Sequence, residues 1–422
     1  MTPLTPSSAG RSEDADEVEP EWIDDDAGVA QLVATLRSEP AYGLDTEFVA
    51  ERSYWPQLCL VQLSWAGGVA LIDPLTCDVR ALGELLQAPG TMITHAGVGD
   101  LPILERACGA RPTELFDTQI AAGFVGLGSP SLVSLVSVLL GVRLSKQQQL
   151  TEWTRRPLSS AARRYAAADV AHLMALAAKL RERLADLGRE AWAAAECEVL
   201  RTLATREPEP ETAWWRIKGS RNLRGQHAQV AQSVAAWREL RARELDRPVR
   251  FILSDLVLAG IAARPPRNAQ DLRDLRGAES LPKSITGALL DAVDAGKAMT
   301  RDELRLPPKH HDDAALDAAV ALLAAWASQV AEVEKIEPRL LATRDEVRAM
   351  VNGRPSRLDD GWRAEMVGAR IRELVTGQAV LRLVDGGRRV RLESGLRGDE
   401  AKPWSDGREG EAESTSEGDG GS

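Results

Sequence analysis

The 422-residue sequence predicts an α/β domain, a mixed sheet flanked by helices, followed by all-α helical domains. Two observations support this fold class. Up to about residue 205, short apolar runs typical of strands alternate with helical patterns. From His227 onward, the apolar residues recur at helical spacing with almost no strand-like runs. At roughly 150 residues per domain, the length predicts two or three domains.

The formal net charge of -11 argues at first against a nucleic-acid partner. Most of that charge lies in two tails, however. Residues 1–26 hold nine acids against Arg11, and residues 399–422 hold eight acids against Lys402 and Arg408. Without these tails the middle of the chain carries about +3. Their composition predicts disorder, and the middle is compatible with binding nucleic acid.

Cysteine usage and the lack of a targeting segment indicate the compartment. The four cysteines are scattered, without a Cys-x-x-Cys pair, which favours a reducing environment and argues against a zinc site or disulfide framework. The N-terminus lacks a basic segment followed by an apolar one. The most apolar run, Ser131 to Val142, is too short to span a bilayer. We expect a soluble, cytoplasmic protein.

The elements of the α/β domain follow in order. A helix with Val29, Leu32, Val33 and Leu36 on one face precedes three strands joined by short connections, which predicts an antiparallel meander. A short helix, a fourth strand and three helices come next. The predicted ranges are strands 42–48, 58–64, 69–72 and 92–96, and helices 82–86, 101–107, 118–123 and 132–140.

The last helix of this domain has clear start and stop signals. Ser159 is its predicted N-cap, and Gly188 is its predicted end. Tyr165 and Asp169 are four residues apart, so they lie one above the other at the edge of the apolar stripe. The predicted buried stripe is Ala166, Val170, Leu173, Ala177, Leu180 and Leu184.

Composition changes predict the domain boundaries. The Glu-Pro-Glu-Pro-Glu run at residues 207–211 indicates a linker, and a basic, Trp-containing stretch follows it. The predicted parts are an acidic disordered tail (1–26), the α/β domain (27–205), a linker with a basic and aromatic patch (206–226), a helical domain (227–300), a second, diverged helical domain (313–390) and an acidic disordered tail (391–422).

The first candidate site is the pair Asp45 and Glu47, on the strand that begins the meander. Successive side chains of a strand alternate faces, so the two carboxylates point the same way, roughly 6–7 Å apart. Such a pair is costly in a packed sheet unless a cation neutralises it, and Mg²⁺ prefers oxygen ligands. Alone, the pair is more typical of an edge strand with a solvated acidic face, and the other acids of the chain favour the metal site.

Two further acids complete the pattern. Asp100 follows a strand and a Gly-x-Gly turn, where a carboxylate commonly acts as a helix N-cap. Asp169 follows Tyr165 on the last helix. With Asp45 and Glu47, these residues give four acids in the order strand, turn and helix.

On these residues the chain resembles the ribonuclease D family of the DEDD superfamily of 3′-to-5′ exonucleases. Three stretches match the three exonuclease motifs, the last of them in its Tyr-x-x-x-Asp (DEDDy) form. They are Asp45-Thr46-Glu47-Phe48, His95-Ala96-Gly97-Val98-Gly99-Asp100 and Tyr165-Ala166-Ala167-Ala168-Asp169. Leu58 to Leu63, Leu115 to Ile120, and Trp153 with Arg156-Pro157-Leu158 match as well. The resemblance implies a ribonuclease H-like sheet over residues 27–200.

A second resemblance covers the helical part. Three stretches are similar to the helicase-and-RNase-D C-terminal (HRDC) domain, a helical module that binds nucleic acid. They are Trp215-Arg216-x-Lys218, Trp237-Arg238-x-Leu240-Arg241 and Phe251 to Asp255. Residues 313–390 match much more weakly and would be a diverged second copy.

The resemblance implies a two-metal phosphodiesterase. Asp45, Glu47, Asp100 and Asp169 would bind two Mg²⁺ or Mn²⁺ ions, with Asp45 bridging them, and Tyr165 would orient the attacking water. The expected activity is hydrolysis of RNA from the 3′ end into nucleoside 5′-monophosphates, with tRNA precursors as the expected substrate and no membrane or obligate protein partner. The alternatives are a DNA 3′-to-5′ exonuclease and an inactive nucleic-acid-binding protein.

Basic residues near these motifs are candidates for contacts with the nucleic-acid backbone. Beside the third motif they belong either to a phosphate-binding surface or to a solvated face. The basic and aromatic patch after the linker is either a nucleic-acid surface or an interdomain anchor. The candidates are Lys146, Arg155, Arg156, Arg163, Arg164, Trp215, Arg216 and Lys218. His95 is expected to order the end of its strand rather than to act as a base.

Overall fold

The structure, a computed structural model, describes most of the chain, which divides into two compact units between residues 311 and 312. Among the residues described, no helix combines the length and the apolar character needed to cross a membrane. The described residues are 19–144, 151–203, 209–279, 281–307 and 314–394.

A six-stranded mixed sheet forms the centre of the first unit, with strand order β1-β4-β3-β2-β5-β6. The predicted meander is confirmed, because β2 pairs antiparallel with β3 and β3 pairs antiparallel with β4. The outer pairings, β1 with β4, β2 with β5 and β5 with β6, are parallel. The strands are β1 Glu21–Ile23, β2 Ala41–Val49, β3 Gln57–Trp65, β4 Gly68–Ile72, β5 Thr91–Thr94 and β6 Glu114–Asp117.

Eight helices accompany the sheet in the described part of residues 19–203. The predicted helix from Ser159 to Gly188 is in fact two, because the chain breaks at His172. Ser159 is the N-cap, and every residue of the predicted stripe is buried. The helices are α1 Asp26–Leu36, α2 Leu82–Leu86, α3 Asp100–Cys108, α4 Thr118–Phe124, α5 Leu132–Leu140, α6 Ser160–Ala171, α7 Leu173–Asp186 and α8 Glu190–Thr202.

The disorder predicted for residues 1–26 is wrong for the end of that range. Glu21–Ile23 forms β1, which pairs with β4, and Ile23 is buried. The Asp25 side chain caps α1 by accepting from the Gly28 amide. The acidic segment also contains an apolar pair, Trp22 and Ile23. Burial of these side chains against the sheet is favourable, so this part of the segment is ordered.

The rest of the first unit is helical. The predicted linker 206–226 is wrong over most of its described part, because Pro210–Arg216 and Ser220–Asn222 form 3₁₀ helices and the next α-helix already begins at Gly225. Trp214 from this helix is fully buried in the core of the helical bundle. The α-helices are α9 Gly225–Glu244, α10 Val249–Ile252, α11 Asp255–Ala263, α12 Ala269–Arg273 and α13 Lys283–Ala298.

The second unit is a small helical bundle that ends in a hairpin. The prediction of an all-α segment is wrong for its end, since the alternating residues of Ala379–Val384 and Arg389–Ser394 pair as antiparallel strands β7 and β8. These strands also shorten the acidic tail predicted from residue 391. The helices are α14 Asp317–Glu334, α15 Pro338–Leu341, α16 Arg344–Val351, α17 Gly361–Arg363 and α18 Ala369–Val375.

Candidate active site

Strand β2 presents Asp45 and Glu47 on the face of the sheet that packs against α6. Leu44, between Gly43 and Asp45, points to the opposite face and is fully buried there. On the neighbouring strand β3, Gln62 lies directly opposite Asp45. Period-2 alternation therefore puts the two carboxylates together, as the sequence predicted.

Close packing of α6 on the sheet brings Asp169 to the same place. The Ser64 hydroxyl on β3 donates to the Val170 carbonyl over 2.8 Å, one residue after Asp169. Gly43 allows this approach, because a Cβ at that position would lie 2.3 Å from the Ser64 Oγ and 3.2 Å from the Leu173 side chain. No larger residue fits without moving the helices or Ser64.

The result is a cluster of three carboxylates. One oxygen each from Asp45, Glu47 and Asp169 lies within 4.8 Å of the others. This oxygen-only set has the chemistry of a site for a hard divalent cation, so the residues fit Mg²⁺ or Mn²⁺.

Asp100 lies beside this cluster but is not one of the three. It begins α3 and is 6% exposed, and the Thr46 hydroxyl donates to its carboxylate. The negative charge of Asp100 nevertheless acts on the cluster and raises the pKa of both Asp45 and Glu47. The structure thus brings three of the four predicted acids close enough to share a cation, and the charge of the fourth acts on two of them.

The turn that leads to Asp100 is held by a buried carboxylate. Asp117, at the end of β6, accepts from the Ala96 amide at 3.2 Å and the Gly97 amide at 2.9 Å. It also caps α4 by accepting from the Gln119 and Ile120 amides. Ala96 has a left-handed backbone, with φ 61°, so the turn depends on this support.

Burial and mutual repulsion shape the electrostatics of the cluster. Burial, and then the charges of Asp100, Asp169 and Glu47, raise the pKa of Asp45 well above its usual range. Burial and the Asp169 and Asp100 charges raise the pKa of Glu47 to about 8. Burial raises the pKa of Asp169 to about 7. Without cations, the cluster therefore retains protons near neutral pH.

Tyr165 lies one turn before Asp169 on α6. Burial and the nearby carboxylates, Asp169 foremost, raise the pKa of its phenol to about 12. Its ring packs near the buried Trp153, with centroids 6.3 Å apart. The phenol therefore stays protonated at neutral pH and offers a hydrogen-bond donor at the edge of the cluster.

His95 is engaged through both ring nitrogens. Its Nδ1 lies 2.9 Å from the Thr118 hydroxyl, and its Nε2 lies 3.2 Å from the Pro130 carbonyl oxygen. Burial lowers the pKa of the ring. These contacts tie the end of β5 to α4, in agreement with the ordering role predicted for this residue.

Arg156 is a structural residue, which corrects its predicted contact with nucleic acid. Its five N–H donors serve five hydrogen bonds: two to the Asp73 carboxylate and one each to the carbonyls of Trp153, Arg155 and Cys59. Asp73 is 1% exposed, so the partly buried Arg156 neutralises a buried carboxylate. No donor remains for a phosphate.

The other basic candidates are placed differently. Arg155 and Arg164 are exposed, whereas Arg163 is half-buried with its guanidinium 5.0 Å from the Trp22 ring centroid. Lys146 lies outside the described residues.

The basic and aromatic patch divides into two parts. The Trp215 indole donates to the Arg305 carbonyl over 2.8 Å, and its ring packs against the core of the helical bundle. Trp215 thus anchors the patch within the bundle, which favours the anchor among the two alternatives that the sequence left open. Arg216 and Lys218 are exposed, although Arg216 lies 3.5 Å from Glu239.

Sequence reasoning assigned no role to two residues that border the cluster, Gln62 and Ser64. Both are buried polar residues on the α6 face of the largely apolar strand β3. Polar side chains at alternate positions of such a strand are the signal that could have found them.

Comparisons with known proteins identify the family to which the chain belongs. Residues 20–185 match the family model for a 3′-5′ exonuclease, and residues 227–288 match the HRDC domain. A ribonuclease D of Granulibacter bethesdensis is 35% identical over 377 residues, which cover 87% of this chain and 95% of that protein. The chain belongs to the ribonuclease D family. A ribonuclease D of Gluconacetobacter diazotrophicus is 37% identical over 86% of this chain and 94% of that protein.

A solved ribonuclease D extends the match to the fold. The crystal structure of Escherichia coli RNase D is similar to this chain with a TM-score of 0.76 and 32% identity, covering 85% of this chain and 99% of that one. The likeness confirms the predicted fold class. Ribonuclease D enzymes are DEDD exonucleases, which depend on divalent metal ions, and the acidic cluster of this chain supplies suitable ligands.

Proposed function

We propose that this chain is a metal-dependent 3′-to-5′ exoribonuclease that releases nucleoside 5′-monophosphates from RNA 3′ ends. The observation that carries the proposal is the convergence of the Asp45, Glu47 and Asp169 carboxylates on one side of the sheet, with Asp100 adjacent. Membership of the ribonuclease D family supports the reaction and the RNA substrate.

The four acids would act as ligands of the divalent cations. Asp45 is central among them, because the charges of Asp100, Asp169 and Glu47 all act on it. Bound Mg²⁺ or Mn²⁺ supplies an activated water and stabilises the leaving oxygen. The protein contributes strand β2 and helices α3 and α6, which together hold the four carboxylates, and Thr46 orients Asp100 by its hydrogen bond.

Tyr165 would orient the attacking water by hydrogen bonding. A phenol with a pKa of about 12 is a poor base at neutral pH, so orientation rather than proton removal is its role. The exposed residues Arg155, Arg164, Arg216 and Lys218, with the half-buried Arg163, would contact the RNA backbone.

Precursors of tRNA are the proposed substrate, and the cytoplasm is the proposed location. The solved Escherichia coli RNase D is described as an exoribonuclease involved in structured RNA processing, which supports the choice of a structured RNA. The second unit as a diverged HRDC copy remains a proposal, supported by its helical content.

The test uses matched RNA and DNA oligonucleotides labelled at the 5′ end. With Mg²⁺, we expect the RNA to shorten stepwise from its 3′ end and the DNA to persist. Asp45→Asn should abolish shortening, whereas Asp186→Asn, which changes an exposed acid at the end of α7, should retain it. Faster degradation of DNA would favour the DNA exonuclease, and an intact RNA in all samples would favour a binding protein.

A further inference from the structure

Gln62 is a fully buried polar residue directly opposite Asp45. It is 0% exposed, and neither its Nε2 nor its Oε1 has a hydrogen-bond partner among the described residues. Directly opposed residues of an antiparallel pair have Cβ atoms roughly 4.5–5.5 Å apart and share a face of the sheet. The amide therefore lies in the same layer as the Asp45 carboxylate.

The surroundings of Gln62 leave it few partners. On its own strand, Leu60 packs in a buried cluster with Ala162 and Ala166 of α6. Two residues further along the same strand, the Ser64 hydroxyl donates its hydrogen to the Val170 carbonyl. Leu71 lies opposite Gln62 on β4 and is apolar. Of these four neighbouring positions on the α6 face, Asp45 alone carries a carboxylate.

A buried amide without partners is destabilising, because both its donor and its acceptor have lost their bonds to water. A methionine has nearly the same length and flexibility and would fill the space without that cost. An amide at this position is therefore explained if it forms hydrogen bonds in another state of the protein. Cation binding to the carboxylates creates such a state, because it changes the Asp45 carboxylate beside the amide.

We propose that Gln62 is a positioning residue for Asp45: in the metal-bound enzyme its Nε2 donates to the Asp45 carboxylate, directly or through one buried water, and fixes the orientation in which that carboxylate binds cations. Groups that orient metal ligands in this way commonly change metal affinity 10- to 100-fold. This inference rests on the proposed function, because it assigns Gln62 a part in the metal site of that reaction.

The test is the Gln62→Met variant, studied by urea unfolding without metal and by calorimetric titration with Mn²⁺. We expect its metal-free stability to equal or exceed that of the wild type, since no hydrogen bond of the metal-free protein is lost. We expect Mn²⁺ affinity to fall about 10- to 100-fold. Exonuclease activity should fall at low Mn²⁺ and recover at saturating Mn²⁺, as a change in metal affinity requires. Gln62→Leu should behave in the same way and guards against a packing fault specific to methionine.

Gln232 provides a matched control. It is also a buried glutamine, 3% exposed, but its Nε2 donates to the Glu303 carbonyl over 3.0 Å and its Oε1 accepts from the Arg305 amide at 2.7 Å. Gln232→Met should therefore lower stability and leave Mn²⁺ affinity unchanged. The two variants are expected to have opposite effects on the two quantities.

The outcomes separate this inference from the proposed function. If wild type binds Mn²⁺ and both Gln62 variants bind it equally well, the positioning role is excluded while the metal site stands. Loss of metal-free stability with unchanged Mn²⁺ affinity would make Gln62 a purely structural residue. If wild type itself binds no Mn²⁺, the proposed metal site fails first.

Discussion

The Ser64 hydroxyl on β3 and the Val170 carbonyl on α6 form a hydrogen bond of 2.8 Å that fastens the helix carrying Asp169 to the sheet carrying Asp45 and Glu47. Ser64 is buried, and Gly43 leaves the space for it. The distance between helix and sheet therefore sets the distance between the carboxylates. Changes at this contact should affect the metal site without touching a carboxylate.

Ser64→Ala tests this coupling. The lost hydrogen bond should cost about 1 kcal/mol of unfolding free energy, and the looser helix should weaken Mn²⁺ binding and lower kcat. Ser233→Ala is the control, because it removes a similar 2.7 Å bond to the Ala292 carbonyl in the helical bundle. We expect the two variants, Ser64→Ala and Ser233→Ala, to lose similar stability. Only Ser64→Ala should also show a reduced Mn²⁺ affinity. Unchanged Mn²⁺ affinity in Ser64→Ala would show that the bond does not set the geometry of the site.

The acidic cluster should make the metal-free protein less stable as pH rises. Burial and mutual repulsion raise the pKa of Glu47 to about 8 and of Asp169 to about 7, so the folded state keeps protons that the unfolded state releases above about pH 4. This stabilisation is complete at low pH and is lost between about pH 4 and pH 8. Urea unfolding in chelator should show the decline.

Added Mg²⁺ should remove most of that decline, because the cations replace the protons. Asp169→Asn should lessen the decline, since it removes one titrating group and relieves Glu47 of a neighbouring charge. Asp186→Asn should leave the pH dependence as it is. A metal-free stability that rises through this range would contradict the crowded cluster.

Tyr165→Phe isolates the role of the phenol. Because its pKa is about 12, the hydroxyl acts as a donor, and its loss should lower kcat about 10²-fold through misplacement of the water. Mn²⁺ affinity and the pH dependence of kcat between pH 7 and 9 should be unchanged. If instead the wild-type kcat changes at high pH and this change is absent in Tyr165→Phe, the titrating group is the tyrosine.

Arg156 and Arg155 are adjacent in sequence and should differ in function. Arg156→Ala leaves the buried Asp73 carboxylate without its cation, which should cost about 3–5 kcal/mol of unfolding free energy. Arg155→Ala, on the exposed neighbour, should change stability by less than about 0.5 kcal/mol. RNA affinity and its salt dependence should fall in Arg155→Ala. The reverse assignment of the two effects would overturn the structural role of Arg156.

The sequence predicted the features that follow from local periodicity. Strand alternation placed Asp45 beside Glu47, and the four-residue spacing of Tyr165 and Asp169 placed them on one edge of a helix. The Ser159 cap and the meander were equally local. Such patterns depend on backbone geometry alone, so they are readable without a fold.

Contacts between residues distant in sequence were not predictable in this way. Arg156 and Asp73 are 83 residues apart, and basic character alone suggested a phosphate contact instead. Asp117 was readable as a helix cap, but its support of the Ala96 turn depends on the parallel pairing of β5 and β6. The unpaired amide of Gln62 appears only when strand register and burial are known together.

The most direct test of the central claim is anomalous diffraction from crystals of the wild-type protein soaked in Mn²⁺. We expect two manganese peaks, about 3.5–4 Å apart, bounded by the carboxylates of Asp45, Glu47, Asp100 and Asp169. A map without manganese at these carboxylates, from protein that degrades RNA in the same Mn²⁺ solution, would place the chemistry elsewhere and contradict the proposed site.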